Sequence, residues 1–126
     1  GSGSGVPGLI LKLLLPELPI ILVEPLSKRV AFLKTVIHQF KLSDIKVVRA
    51  RWPLNGSEPC QVVSRAVVSP ETWPTLADEG PHVLTIYRYL ALSRPAFSAD
   101  GFQLNTGIDY QRGSSEDLRL ERWDRI

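Results

Sequence analysis

The segment GSGSGVPGL, residues 1–9, places four glycines and one proline directly before an apolar run. Glycine has no Cβ, so a loop of this composition can adopt positive φ angles and let a ligand lie against the main chain. Pro7 is acceptable at the first position of a helix, and the pattern predicts a short buried helix over residues 8–15, ended by Pro16. The segment therefore predicts a glycine-rich loop that leads into a helix.

Two classes of ligand use such a loop. The amino end of the helix offers unpaired N–H groups and partial positive charge, which favour an anionic group. Gly3, Gly5 and Gly8 match the dinucleotide pattern G-x-G-x-x-G, whereas Gly1, Gly3 and Gly5 match the G-x-G-x-G loop that binds S-adenosylmethionine. Glu24 ends the next predicted strand, at a distance that suits a ribose hydroxyl contact in both cases. The loop by itself fits both ligands equally well.

Beyond the loop, strand-like and helix-like segments alternate. Residues 19–23 form an apolar, largely β-branched run typical of a strand covered on both faces, and Ser27 is placed to cap a helix through Phe40. The apolar stripe of that helix consists of Val30, Leu33, Val36, Ile37 and Phe40. The other predicted elements are strands at 45–49, 61–64 and 83–87, a short helix opened by Ser69, Pro70 and Glu71, a helix near 90–97, and strands near 102–110 and 117–123. This alternation predicts an α/β fold, a mostly parallel sheet with helices on both faces, in a single domain over residues 1–126.

Composition narrows the class of protein. The 126 residues are 44% hydrophobic and 22% charged, which is ordinary for a globular domain and argues against disorder. The apolar stretch at 9–15 is far shorter than the roughly 20 residues of a membrane span, so we expect no membrane partner. Cys60 is the single cysteine, which excludes an internal disulfide or thiolate zinc site and suits a cytoplasmic protein without a metal. The net charge of +2 permits a nucleic-acid partner without requiring one.

The two histidines offer little for catalysis. His38 falls off the apolar stripe of its predicted helix, so we expect it on the surface. His82 precedes a strand, and no evident partner orients it as a base. A nicotinamide-dependent dehydrogenase thus lacks a proton-handling residue in good position, although a NAD-binding Rossmann oxidoreductase fragment and a non-catalytic relic both stay open as alternatives.

Four successive segments resemble the motifs of one known family. They are GSGSGVPGL at 1–9, LVEPLSKRVAFLKTV at 22–36, VVRAR at 47–51 and VVSRAVVSP at 62–70. Their order and spacing are similar to the bacterial glucose-inhibited division protein B family, the small-subunit ribosomal RNA guanine-N7 methyltransferases. The resemblance implies a class I S-adenosylmethionine-dependent methyltransferase fold, which is Rossmann-like, with S-adenosyl-L-methionine as cofactor and small-subunit (16S) ribosomal RNA as partner.

The same resemblance implies the site residues. The cofactor site would comprise Gly1, Gly3, Gly5, Val6, Glu24, Trp52, Pro53 and Arg65. Within it, Gly1 and Val6 line the methionine end, Glu24 meets the ribose, and Trp52 with Pro53 borders the adenine. Arg65, from the S-R-A motif, maps onto the arginine at the cofactor and catalytic cleft and is the candidate catalytic residue. Apart from the resemblance, we expect Lys28, Arg29 and Arg88 to contact RNA. Lys28 and Arg29, together with Lys34, are weaker candidates than Arg65, because a solvated helix face explains them equally well.

The chemistry of the implied reaction asks little of side chains. Guanine N7 carries an in-plane lone pair and no proton, so methylation there needs alignment of the reactants and no general base. The planar guanidinium of Arg65 suits a cofactor carboxylate, a phosphate or the guanine O6 edge. Absence of a catalytic histidine or cysteine is therefore no objection to the methyltransferase interpretation.

The resemblance also implies a strand before the glycine loop, in the middle of the sheet. The sequence begins at the loop, so we expect this first strand to be missing from the sheet unless another segment fills its place. Neighbouring strands lie about 4.8 Å apart, and omission of a central one would leave backbone N–H and C=O groups without partners.

Overall fold

A computed structural model of the chain describes residues 1–56, 58–80, 82–93, 98, 100–113 and 116–126. The chain divides into two compact units, Gly1–Trp52 and Pro53–Ile126. The first unit contains α1 (Gly8–Leu14), β1 (Ile20–Val23), α2 (Ser27–Gln39) and β2 (Ile45–Val48). The second contains β3 (Cys60–Ser64), α3 (Trp73–Asp78), β4 (Val83–Ala91), β5 (Phe102–Arg112) and β6 (Glu116–Arg125). This order confirms the predicted α/β class.

The first unit is built on a parallel pair of strands. β1 and β2 pair in register from Ile20 opposite Ile45 to Val23 opposite Val48. The core of the unit consists of Leu9, Leu22, Leu33 and Ile45, with half-buried apolar residues of α2 and β2 around it. Leu33 is completely buried, as its place on the predicted apolar stripe requires.

Three predictions are wrong: the residue that caps the amino end of α2, the burial of Phe40 at its carboxyl end, and the burial of both faces of β1. The N-cap position of α2 is Leu26 and not Ser27, so Ser27 is the first helical residue. Phe40 follows the helix and is 63% exposed, because the stripe turns away from the core after Ile37. Ile21 is 58% exposed, since β1 buries Leu22 on one face only, and the strand is therefore not covered on both faces.

The carboxyl end of α2 closes in a Schellman motif. The Lys41 N–H donates to the His38 carbonyl at 3.2 Å, and the Leu42 N–H donates to the Ile37 carbonyl at 3.0 Å. Lys41 adopts the left-handed conformation at φ +50° that this motif requires, where glycine is the usual residue.

Helix α1 differs from the predicted buried helix. Pro7 is its N-cap residue and not its first helical residue, and its buried residues are Leu9 and Lys12. Ile10, Leu13 and Leu14 are exposed. The Lys12 ammonium donates to the carbonyls of Pro16 at 2.6 Å and Leu18 at 2.8 Å. These hydrogen bonds give the buried ammonium its acceptors and hold the turn that follows the helix.

The second unit is a four-stranded mixed sheet in the order β3-β4-β6-β5. β3 pairs with β4 in parallel, as the predicted sheet requires, whereas β4–β6 and β6–β5 are antiparallel. Three residues separate β5 from β6, and so short a connection permits only an antiparallel pair. Leu90 and Ala91 belong to β4, so the predicted helix near 90–97 is wrong at its start, and residues 94–97 lie outside the described residues.

Helix α3 begins at Trp73, a few residues later than predicted. Ser69 closes the turn before it, because its carbonyl accepts the N–H groups of Thr72 at 3.1 Å and Trp73 at 3.0 Å. The Trp73 indole N–H then donates to the Tyr87 carbonyl at 2.8 Å and fixes α3 against β4.

Packing within the protein explains two glycines of the opening loop. A Cβ at Gly5 would lie 2.6 Å from Leu9 Cγ and 3.1 Å from Leu33 Cδ2, and Gly5 has φ +93°. A Cβ at Gly8 would overlap the buried side chain of Leu22. These two positions are therefore glycine because the loop and α1 press against the core.

Replacement of Gly5 by alanine tests this account. The substitution combines a positive φ with overlap against a filled core, so we expect it to lower the free energy of unfolding by about 2–4 kcal/mol. Gly56→Ala is the matched control, because a Cβ at Gly56 meets nothing within 4 Å and φ there is not positive. Urea denaturation measures both. Equal stability of the two variants would contradict the packing explanation.

Candidate functional site

The glycine loop folds back onto the carboxyl end of β1. The Ser2 N–H donates to the Val23 carbonyl at 2.9 Å, and the Gly3 N–H donates to Glu24 Oε2 at 2.8 Å. The Gly5 N–H donates to the Ser2 carbonyl at 2.7 Å, which closes the loop into a turn. The structure thus brings Gly1–Val6 and Glu24 together, as the sequence predicts.

Glu24 anchors this arrangement. Its side chain is buried, with the residue only 1% exposed, and its second oxygen, Oε1, accepts the Leu26 N–H at 2.9 Å. Burial raises the pKa of Glu24, but the hydrogen bonds from Leu26 and Gly3 and the charge of Arg29 outweigh it and hold the pKa below its usual value. The carboxylate is therefore charged at neutral pH and joins the loop to the start of α2.

Gly3 is the loop position with room beside it. It has φ +54°, and a Cβ placed there meets nothing within 4 Å. Unlike Gly5 and Gly8, Gly3 thus has its open side away from the protein core, where a ligand can approach the backbone. The exposed Gly1 and half-buried Val6 flank this position in the chain.

Two cations lie at the amino end of α2. Lys28 and Arg29 are both exposed and stand in the first turn of the helix, which contains no acidic residue. Positive side chains are unfavourable there, because the helix dipole already places partial positive charge at that end. The two side chains therefore add positive charge to an end of the helix at which the Glu24 carboxylate is already held by the Leu26 N–H and attracted by Arg29.

Arg65 belongs to the second unit, where it lines a cavity. The cavity has a volume of about 460 Å³ and is lined by residues from the ends of β3 and β4 and from the β5–β6 hairpin, among them Arg65, Tyr89, Tyr110 and Arg112. Arg65 is exposed, and within the described part of the chain its guanidinium makes no hydrogen bond or ion pair. Its neighbour Ala66 has φ +57°, an uncommon conformation for a residue with a side chain.

The expected role of Arg88 in RNA binding is wrong. Arg88 is 2% exposed, and its Nη2 and Nε donate to Glu121 Oε2 at 2.6 and 3.0 Å. The Trp123 indole N–H donates to the same oxygen at 2.9 Å, and the Arg88 guanidinium lies 5.5 Å from the Trp123 ring centre. A buried charge must be paired in this way, so Arg88 supports the cavity wall and presents no surface to RNA.

Sequence reasoning missed the aromatic and basic residues that the hairpin adds to the cavity. Tyr110 lies opposite Leu118, which in turn lies opposite Ala91, so the register brings Tyr110 beside the end of β4. Burial raises the pKa of Tyr89, Tyr110 raises it further, and Arg65 opposes both. Only the hairpin register reveals this proximity, since Tyr89 and Tyr110 are far apart in the sequence.

The remaining candidates are distributed elsewhere. Trp52 is half-buried at the end of the first unit, and the exposed Pro53 begins the second. His38 is exposed, which confirms the surface position predicted for it. Across the residues that the structure describes, no three His, Cys, Asp or Glu side chains are grouped to hold a metal ion. Among the same residues we find no candidate for a membrane-spanning helix.

Comparison with known sequences identifies one family. A family model described as rRNA small subunit methyltransferase G, GidB, matches residues 1–83. The ribosomal RNA small subunit methyltransferase G of Desulfitobacterium hafniense is 51% identical over 51 residues, which cover 40% of this chain and 21% of the relative. The protein of the same name from Wolinella succinogenes is 39% identical over 90 residues, which cover 69% of this chain and 47% of the relative. The chain thus spans less than half the length of these relatives.

Solved structures agree with the fold. A protein from Escherichia coli, provisionally described as a methyltransferase, superposes with a TM-score of 0.65 and 19% identity over 98% of this chain and 72% of its own. A protein from Haemophilus influenzae, provisionally described as a methylase, gives a TM-score of 0.66 and 15% identity over 99% of this chain and 83% of its own. These likenesses confirm the predicted Rossmann-like methyltransferase fold.

The lowered pKa of Glu24 predicts a pH dependence of stability. Since the folded-state pKa lies below the ordinary glutamate value of 4.5, the carboxylate stabilises the fold fully above that value. This contribution is lost as the pH falls through the folded-state pKa. Glu24→Gln leaves one buried N–H without an acceptor, so wild type should be more stable than the variant above about pH 5, with the difference shrinking in acid.

Denaturation of both proteins between about pH 3 and 7 measures the difference. Glu17→Gln serves as the control, because Glu17 is an exposed glutamate of the same unit and its replacement should produce no such pattern. A stability difference between wild type and Glu24→Gln that stays constant across this range would contradict the assigned role of the Glu24 charge.

Proposed function

The chain belongs to the GidB family of rRNA small subunit methyltransferases G, and on this premise we propose that it methylates guanine N7 in small-subunit ribosomal RNA with S-adenosylmethionine. The observation that carries the proposal is the glycine loop joined to a charged, buried Glu24, found in the part of the chain that the family model matches. We further propose that residues 1–126 form part of a single methyltransferase domain and that the protein acts in the cytoplasm.

The loop is the proposed holder of the cofactor. Gly3 has an open side and a left-handed backbone, so a bound adenosyl group can pass close to it. Gly1, Gly5 and Val6 are proposed as the other loop residues of the cofactor site. The Glu24 carboxylate uses two of its roughly four acceptor positions on backbone N–H groups, which leaves acceptor capacity for a ribose hydroxyl. Because Glu24 is buried, entry of the ribose requires the segment that contains Gly3 to move. Trp52 and Pro53 are proposed for the adenine.

The two cations at the start of α2 are proposed to meet RNA phosphates. Placing Lys28 and Arg29 at the positive end of a helix costs about 0.3–1 kcal/mol each, and the attraction between Arg29 and the Glu24 carboxylate offsets part of this cost. A phosphate would gain from both side chains and from the helix end together.

Arg65 is proposed to orient the methyl acceptor. Its guanidinium is exposed and makes no hydrogen bond among the described residues, so its five donors are available to a guanine O6 edge or a phosphate. When bound, S-adenosylmethionine supplies the methyl group. Guanine N7 accepts it without loss of a proton, so the protein's task is alignment, which can be worth several kcal/mol.

Transfer of a labelled methyl group tests the proposal. The intact protein, given tritiated S-adenosylmethionine and small-subunit RNA from cells that lack the enzyme, should label the RNA. Borohydride reduction and aniline cleavage should then locate the label at a guanine N7. Arg65→Ala should lower activity roughly ten- to a hundredfold, because one charge-assisted contact is worth about 1.5–3 kcal/mol, while the melting temperature barely changes.

Two variants control this experiment. Arg122→Ala removes an exposed arginine of the same unit that does not line the cavity, and it should keep full activity. Leu33→Ala should cost about 2–5 kcal/mol of stability through a cavity in the core of the first unit. Label in protein alone would reject RNA as the substrate, and full activity of Arg65→Ala would reject the role of Arg65. No transfer to any acceptor would favour a non-catalytic relic.

A further inference from the structure

Helix α2 and strand β2 enclose a second feature, an open groove of about 810 Å³ that lies wholly within the first unit. Its apolar lining is buried or half-buried and consists of Ile37, Leu42, Ile45, Val47 and Val48. Its basic lining is exposed and consists of Lys34, His38, Lys41 and Lys46. We call these nine residues the basic groove.

Helical spacing places two of the basic residues on one side of α2. Lys34 and His38 stand at positions i and i+4 of the helix, Lys41 follows the helix at the left-handed position of the Schellman motif, and Lys46 comes from β2. Among the residues that the structure describes, none of the three lysines forms an ion pair. Asp44 is the one acid between residues 34 and 52, so the groove keeps a net positive charge.

Lys41 has a backbone conformation that favours glycine. It occupies the left-handed position of the Schellman motif, at φ +50°, where glycine avoids the contact between Cβ and the backbone. A cation in the last turn of the helix would interact with the helix dipole equally well without this strain. Stabilisation of the helix therefore does not explain why a lysine stands here, whereas binding of an anion in the groove does.

Charge is also divided unequally between the two units. Residues 1–52 contain eight lysines and arginines and three acids, a formal charge of +5. Residues 53–126 contain seven lysines and arginines and ten acids, a formal charge of −3. The modest net charge of +2 therefore conceals a basic first unit, and a polyanion would be attracted to that unit.

We infer that the basic groove binds the phosphate backbone of RNA, as a contact surface separate from Lys28, Arg29 and Arg65. The inference rests on the proposed function, because an RNA substrate favours RNA over an acidic polypeptide as the occupant. Lysine ammonium groups act as point charges that suit phosphates, and the apolar lining can pack against riboses or bases. Lys28 and His38 are ten residues apart within α2, about 15 Å along the helix axis, so the groove extends the RNA contact beyond the first turn of the helix.

Salt-dependent RNA binding tests the inference. The probe is a fluorescein-labelled single-stranded RNA of about 20 nucleotides, titrated with the intact protein at several salt concentrations. Each phosphate contact contributes about 0.7 to the slope of log K against log salt for a single strand. The triple variant Lys34→Gln, Lys41→Gln, Lys46→Gln should therefore bind more weakly, with a slope reduced by about 2.

Two further variants separate charge from structure. Replacing the same three lysines by arginine keeps the charge and should preserve both affinity and slope. Lys41→Gly removes one charge at a position that favours glycine, so it should reduce the slope by about 0.7 while the melting temperature stays the same or rises.

Each outcome decides the inference. Unchanged affinity and slope in the triple glutamine variant would overturn the inference. Displacement of the RNA by polyglutamate of matched charge at equal concentration would also overturn it, and would assign the groove to acidic polypeptides. Binding of S-adenosylhomocysteine should be the same in all variants. If wild type binds RNA through the groove but transfers no methyl group, the proposed function fails and the groove assignment stands.

Discussion

The carboxylate of Glu24 is the interaction on which the first unit depends. It is buried at the end of β1 and accepts the N–H groups of Gly3 in the loop and Leu26 before α2. A buried charge is costly unless it is hydrogen-bonded, and this mutual geometry of the loop, the strand end and the helix start satisfies the carboxylate. The same geometry places an open glycine beside a negative charge, which is the arrangement that we propose for an adenosyl group.

The opening glycines serve two purposes that the sequence does not separate. The motif predicts a loop before a helix, and the structure confirms this order. Gly3 and Gly5 have positive φ angles, which favour glycine. Only coordinates show that Gly5 and Gly8 are constrained by Leu9, Leu33 and Leu22, while Gly3 faces open space. A pattern such as G-x-G-x-x-G therefore overstates the number of residues that a ligand requires.

Periodicity located most of the helices and strands, because apolar spacing reports directly which face of an element is buried. It did not reveal partners that are distant in the chain. Arg88 meets Glu121 across 33 positions, and this pair turns an expected RNA contact into a buried support of the cavity. The exposed residues of α1 and the antiparallel β5–β6 hairpin were missed for the same reason, since exposure and strand direction depend on tertiary neighbours. The net charge of +2 likewise did not indicate the basic groove, because the acidic second unit offsets the charge of the first.

We propose that the loop and Glu24 form a site for S-adenosylmethionine and not for a nicotinamide dinucleotide. Calorimetric titration of the intact protein with S-adenosylhomocysteine, and in parallel with NADH, tests it most directly. We expect saturable binding of S-adenosylhomocysteine and no heat of binding with NADH. Saturable binding of NADH without a response to S-adenosylhomocysteine would contradict the claim.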